Sequence, residues 1–156
     1  MSDDKKKKLK LKVSAIKEGT VIDHIPAKNL FKVITILGLD NIENQITFGT
    51  NLESERLGSK AIIKVTDKFF EDDEINKIAL IAPHAKLNII RDYEVVEKKV
   101  VEIPKEITGI VKCFNPKCIT NNETITTRFK VVDTSPIALR CRYCEKHTVG
   151  EQIKMV

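Results

Sequence analysis

Four cysteines carry the clearest chemistry in this 156-residue chain, and all of them, Cys113, Cys118, Cys141 and Cys144, lie in its last third. Their spacing is C-x4-C, then 22 residues, then C-x2-C. Zinc takes four soft ligands in a tetrahedron, and loops as short as Phe114-Asn115-Pro116-Lys117 and Arg142-Tyr143 hold two thiolates on one side. Two such knuckles facing each other complete the shell, a relative of the C-x2-C…C-x2-C pattern with a wider first knuckle. Two disulfides, or four unconnected buried thiols, are the other readings; a reducing compartment disfavours disulfides. One structural zinc ion per chain is therefore expected. It is expected to be non-catalytic, because four thiolates leave no open position for water or substrate. His147, three residues beyond Cys144, is a further nitrogen donor that a four-cysteine shell does not need.

A second group of residues could receive an anion. Lys60 and Lys64 are i, i+4 on one strand-like segment and so point the same way. Lys98, Asp23, His24, Asn88 and Tyr93 come from other segments. Several ammonium groups arriving from different directions suit a triphosphate, a carboxylate suits ribose hydroxyls, and an imidazole can donate to phosphate or sugar oxygens. The competing reading is a solvated lysine-rich sheet face, which is common. No Walker A loop and no G-x-G-x-x-G occurs, so strands and side chains would have to hold any nucleotide. There is no HExxH, no nucleophile elbow and no suggestive carboxylate pair. The chain is not read as an enzyme, although a nucleotide hydrolase assembled only by folding would leave no such trace.

The elements that must position these residues follow from periodicity. Residues 8–16 alternate, with Leu9, Leu11, Val13 and Ala15 on one face and Lys10, Lys12 and Ser14 on the other, which predicts a half-buried strand. Pro26 suits a helix start and Gly38 its end, with Leu30, Val33, Ile34 and Leu37 as one apolar stripe. Residues 45–51 and 60–65 read as strands. Asp72 or Asp73 can cap a second helix that carries Ile75, Ile78, Ala79 and Ala82 and stops at Pro83. Residues 87–92 and 93–101 read as strands, a bent pair. The order β-α-β-β-α-β is the ferredoxin-like signature, with strands arranged fourth, first, third, second. Beyond Ile103-Pro104, residues 107–112, 126–132, 137–140 and 148–153 predict a small antiparallel, zinc-ribbon-like domain. At that size hydrophobic burial alone is marginal, and a metal makes physical sense as a staple. The expected class is α+β. The expected organisation is a disordered Lys-rich tail (1–8), a domain that carries the candidate nucleotide site (9–103), which the resemblance described below makes an allosteric domain, and a zinc-binding domain (104–156).

Composition narrows the class. The chain is 42% hydrophobic and 31% charged, which fits a folded soluble protein rather than a disordered one. No apolar run approaches the ~18 residues of a membrane helix, and no secretory signal precedes the body; a cytoplasmic location is expected. The net charge of +5 owes much to the run Lys5 to Lys8, and the remaining body is close to neutral. Aromatics are 5% and tryptophan is absent, so the stacking platforms of a nucleic-acid grip are scarce. A zinc-ribbon nucleic-acid-binding protein is the alternative function.

Four runs carry a resemblance: Lys17-Glu18-Gly19-Thr20-Val21-Ile22-Asp23-His24-Ile25-Pro26-Ala27, Asn88 through Tyr93-Glu94-Val95-Val96, Cys113-Phe114-Asn115-Pro116-Lys117-Cys118-Ile119 and Cys141-Arg142-Tyr143-Cys144-Glu145-Lys146. Together they closely resemble the regulatory chains of aspartate carbamoyltransferase, from about Leu9 onward. The resemblance implies a subunit without catalytic residues, in which the N-terminal domain binds CTP and ATP and pairs as a homodimer. It implies that the zinc domain docks on the catalytic chain. By position in the motifs, Asp23 and Lys64 would serve the ribose, His24 and Lys98 the phosphates, and the backbones of Ile16 and Tyr93 the base. Val13, Ala15, Val21, Asn88, Ile90 and Val95 would line the pocket, with Lys60 near the effectors. Asn115, Glu145 and Lys146 resemble positions that face the catalytic chain. Ser14 stands where the family pattern has an acidic residue, and Lys117 where it has a neutral amide. No nucleic acid or membrane is implied as a partner.

Overall fold

The computed structural model describes residues 16–54 and 58–156. The chain divides into two units between Glu102 and Ile103. Both mix helix with predominantly antiparallel sheet.

In the first unit, β1 (Gly19–Pro26), β2 (Ile46–Ser54), β3 (Gly58–Thr66), β4 (Lys86–Arg91) and β5 (Glu94–Val100) form one sheet in the order β2-β3-β1-β4-β5. All neighbouring pairs are antiparallel. Two short helices, α1 (Leu30–Ile36) and α2 (Asp72–Asn76), interrupt the strands. Alternation divides the sheet into two faces. Ile22 stands opposite both Ile63 and Leu87, and all three are fully buried. With Leu30, Val33, Ile75 and Ile78 they make up the core. The stripe expected on α1 is seen, with Leu30, Val33 and Leu37 buried and Ile34 half-buried. Gly38 follows at φ 67°, the left-handed residue that ends the helix.

Two local features differ from expectation. The alternating segment predicted as the first strand lies, except for Ile16, outside the described residues. Among the described residues the central strand is β1, over residues for which no strand was expected. Asp23 and His24 hide its periodicity: the register slips between Ile22 and Ile25, and His24 takes φ 61°. Gly19 opens β1 because a Cβ there would come within 2.1 Å of the Val65 carbonyl oxygen. The second helix is shorter than predicted, and Glu71 rather than Asp72 or Asp73 is its cap. Glu74 reaches back to it, its Oε1 accepting from the Glu71 N–H at 3.1 Å, while the Glu74 N–H donates to Asp73 Oδ1 at 3.1 Å.

In the second unit, β6 (Glu106–Thr108), β7 (Val111–Lys112), α3 (Ile119–Asn122), β8 (Arg128–Thr134), β9 (Ile137–Cys141), β10 (His147–Val149) and β11 (Lys154–Met155) form two sheets, β10-β9-β8-β6 and β11-β7. The expected strand 107–112 is divided between them at Gly109, which has φ 71°. The expected strand 148–153 is broken by a 3-10 turn at Gly150–Gln152. The core is small: Ile107, Val111, Phe129 and Leu139 are its large apolar members, with Cys113, Cys118 and Cys141 buried beside them.

Candidate metal centre and anion site

The four cysteines converge. Their sulfurs all lie within 4.8 Å of one another. Cys113 Sγ is 3.6 Å from Cys144 Sγ, and Cys118 Sγ is 3.7 Å from Cys141 Sγ. These separations are far beyond a disulfide bond, and the cysteines are free. They fit a tetrahedron of Zn–S bonds at ~2.3 Å, whose edges are about 3.8 Å. Two donors reach the buried sulfurs. Thr120 Oγ1 donates to Cys118 Sγ at 3.2 Å, and the Tyr143 N–H points at Cys141 Sγ at 3.4 Å. Burial pushes the thiols of Cys113 and Cys141 up. At Cys144 burial also pushes upward, but the Lys146 backbone, the Asn115 side chain and the adjoining thiols outweigh it and bring the group down to about 7. His147 is not in the cluster; it pairs with Arg140, one residue from Cys141 and so on the opposite sheet face.

Two asparagines hold the first knuckle, and sequence reasoning missed both. Asn121 Nδ2 donates to the carbonyls of Cys113 (2.9 Å) and Asn115 (2.7 Å). Asn122 Nδ2 donates to those of Pro116 (3.1 Å) and Cys118 (2.9 Å). Both come from α3, a helix too short to show in periodicity. Asn115 Oδ1 accepts from the Lys117 N–H, while Glu145 and Lys146 stand exposed at the other knuckle.

In the first unit, the face opposite the Ile22 core carries polar groups in register. Thr47, Lys64, Val21, Asn88 and Lys98 stand opposite one another across β2, β3, β1, β4 and β5. Residues directly opposed across antiparallel strands share a face, so Lys64 and Lys98 belong to one row although 34 residues separate them. Two residues along β1 from Val21, Asp23 pairs with Lys86, which pairs with Val100. Two residues the other way lies the row Gly19, Ile90 and Val95. A cavity of about 440 Å³ opens at the Asp23 end, lined by Asp23, His24, Lys86, Asn88, Lys98, Lys99 and Val100. Lys60 Nζ is 3.0 Å from Asp23 Oδ1, and the His24 N–H donates to the same oxygen at 2.7 Å. Lys64 is only 5% exposed, and burial lowers its pKa.

Residues 11–102 match the family described as "Aspartate carbamoyltransferase regulatory chain, allosteric domain", and residues 105–154 match "Aspartate carbamoyltransferase regulatory chain, metal binding domain". Proteins named aspartate carbamoyltransferase regulatory chain from Porphyromonas gingivalis, Bacteroides fragilis and Pyrococcus horikoshii are 57%, 57% and 55% identical to this chain. The alignments cover 96%, 94% and 92% of this chain and 99%, 95% and 95% of theirs. This chain belongs to the aspartate carbamoyltransferase regulatory-chain family. It is a regulatory rather than a catalytic chain, with an allosteric domain and a metal-binding domain whose four cysteines are placed for one ion.

Within this regulatory chain, the sequence-predicted site residues distribute unevenly. Asp23, His24, Asn88 and Lys98 meet at the cavity, and Lys60 joins them through Asp23. Lys64, Val21, Ile90 and Val95 share the face. Tyr93 sits at the opposite end of β4, in the turn before β5, with φ 67° and its N–H donating to the Lys17 carbonyl at 3.0 Å. Ile16 precedes Lys17 there and does not line the cavity. Val13 and Ala15 lie outside the described residues. Lys86 was missed, because one lysine among many carries no signal until Asp23 is found opposite it. Among the described residues no helix is long and apolar enough to cross a membrane.

Proposed function

We propose that the polar face of β1, β3, β4 and β5 is the effector site of an allosteric subunit, and that nucleoside triphosphates, CTP and ATP, occupy it. The observation that carries this reading is the row Lys64, Val21, Asn88 and Lys98 beside the cavity at Asp23 and His24. The distance along β4 from Lys86 to Ile90 is about 13 Å, on the scale of an extended nucleotide. Phosphates at the cavity end would meet His24 and Lys98, the ribose Asp23 and Lys64, and the base the backbone of Ile16 and Tyr93. Backbone carbonyls accept from the exocyclic amine of cytosine or adenine but oppose the uracil carbonyl, which favours CTP and ATP over UTP. The N-terminal unit is a ferredoxin-like domain in which β1 is the first strand and β5 is added outside the fourth.

The ion of the second unit is zinc, held by Cys113, Cys118, Cys141 and Cys144. Bound, it supplies cross-linking between the two knuckles and no reactive position. Asn115, Glu145 and Lys146 face the catalytic chain, the N-terminal units pair as a homodimer, and the assembly is cytoplasmic. An effector acts only through a difference in affinity for two quaternary states, a coupling of about 1–3 kcal/mol that must pass through Ile103-Pro104. Co-expression with a catalytic chain tests the reading. The two should co-purify, and CTP should shift the aspartate saturation curve; an unshifted curve in a stable complex would refute it.

A nucleic-acid reading has one observation in its favour. Lys130 stands opposite Arg140, and Arg128 lies beside Arg142, on the exposed face of the β10-β9-β8-β6 sheet. Glu106 belongs to the same row and is ion-paired to Arg142, which interrupts the positive surface with a carboxylate. Duplex binding with a steep salt dependence would support that reading over the first.

A further inference from the structure

We infer that Lys86 is a phosphate-binding residue of the effector site and makes the site sensitive to the number of phosphates on the nucleotide. The inference rests on the nucleotide reading above and adds a residue to it. Lys86 lines the same cavity as Asp23, His24, Asn88 and Lys98. Its place in the sheet is between Asp23 on β1 and Val100 on β5. A lysine directly opposite an aspartate would ordinarily pair with it, but Asp23 is already engaged by Lys60 Nζ and by the His24 N–H. Among the described residues neither Lys86 nor Lys98 has a carboxylate partner. Lys99, the third lysine at the cavity, is committed to Asp72 at 3.1 Å and Glu97 at 3.9 Å.

The cavity therefore presents two uncommitted ammonium groups. Lys98 pairs with Asn88 and lies diagonal to Lys86 across the β4–β5 ladder. Diagonal positions are roughly 7–8 Å apart at the backbone, close enough for two long flexible side chains to converge on neighbouring phosphates. A single ammonium acts as a point charge on whichever phosphate reaches it. Two at staggered depth would distinguish a triphosphate from a monophosphate, because only the longer chain engages both.

Calorimetric titration of the full-length chain tests this, using wild type, Lys86→Gln and Lys98→Gln with CTP, CDP and CMP. Lys86 is exposed, so the Gln variant should fold normally, with an unchanged denaturant midpoint of the N-terminal unit as the check. For Lys86→Gln the expected result is an affinity loss of about fivefold for CTP and less than twofold for CMP. Lys86→Arg, which keeps the charge, should retain most of the CTP affinity. Equal weakening of CTP and CMP, or unchanged CTP affinity where Lys98→Gln weakens it, would overturn the role of Lys86 while leaving the site itself intact. A wild-type chain that binds none of the three nucleotides would overturn the site reading and this inference together.

Discussion

Asp23 and Lys60 form a two-pronged ion pair across the β1–β3 irregularity, with Lys60 Nζ 3.0 Å from Oδ1 and 3.2 Å from Oδ2. Both side chains are about one-fifth exposed, so the pair is neither fully hydrated nor fully desolvated. Replacing the carboxylate by an amide leaves Lys60 without its counter-charge, while the amide oxygen can still accept from the His24 N–H. Asp23→Asn should lower the unfolding free energy of the N-terminal unit by about 1–2 kcal/mol, between the values for surface and buried pairs. Denaturant midpoints would show it, and CTP affinity should fall in parallel. An unchanged midpoint would mean that the pair contributes nothing.

Lys64 should trade stability for binding. Its burial at 5% exposure makes the ammonium form unfavourable and lowers its pKa. For a lysine with a lowered folded-state pKa, the penalty is complete at neutral pH and fades as pH rises from the folded value toward the unfolded one. The nucleotide-free unit should therefore gain stability on the alkaline side. A bound triphosphate favours the ammonium, so CTP affinity should fall over the same alkaline range, with proton uptake on binding. Lys64→Met should stabilise the nucleotide-free unit by about 1 kcal/mol, remove this pH dependence and weaken CTP about tenfold or more. Titrations at several pH values in buffers of different ionisation enthalpy measure all three.

Metal removal should act on one unit. The apolar core of the second unit is little more than Ile107, Val111, Phe129 and Leu139, with three buried cysteines beside it. Binding energy of a structural ion becomes folding energy in such a domain. A strong chelator should abolish the amide dispersion of residues 103–156 in NMR spectra and leave that of the N-terminal sheet in place. A C-terminal unit still folded without metal would contradict the staple role.

Asn121 should matter for metal affinity although it touches no metal. Its side-chain amide donates to the carbonyls of Cys113 and Asn115 and thereby fixes the first knuckle. Asn121→Ala leaves two carbonyls without that donor, a loss of about 1–3 kcal/mol. Partners of this kind typically change metal affinity by about 10–100-fold. Competition with a chromophoric chelator would detect the loss, whereas Asn122→Ala, which leaves the Asn121 bridge intact, should have the smaller effect.

The Glu106–Arg142 pair gives an acid-side signature. The Arg142 hydrogen bond and charge, helped by Arg128 and Lys130, hold the Glu106 carboxyl below its ordinary range. A depressed carboxyl contributes stability that is present above its unfolded pKa and lost as pH falls through the folded one. The pair is exposed, so the effect should be small. Glu106→Gln should flatten the acid limb of the stability profile of the second unit without shifting its neutral value by much.

The local chemistry was readable from the order of residues alone. Short loops bring cysteines together over a few residues, so the two knuckles were legible from spacing, as were the apolar stripe of α1 and the strands at β2, β3 and β4. Gly19 to Pro26 resisted reading, since a bulge with two polar residues breaks the alternation that marks a strand. The asparagines that brace the knuckle sit on a helix of four residues, below the length at which periodicity means anything. Which charges share a surface became fixed on folding. Lys64 and Lys98 fall in one row, Asp23 turns to Lys60, and Lys86 is left facing the cavity, because cross-strand register joins residues far apart in the chain. Register is set by how the whole buried face of the sheet packs, and no stretch of neighbouring residues contains that information.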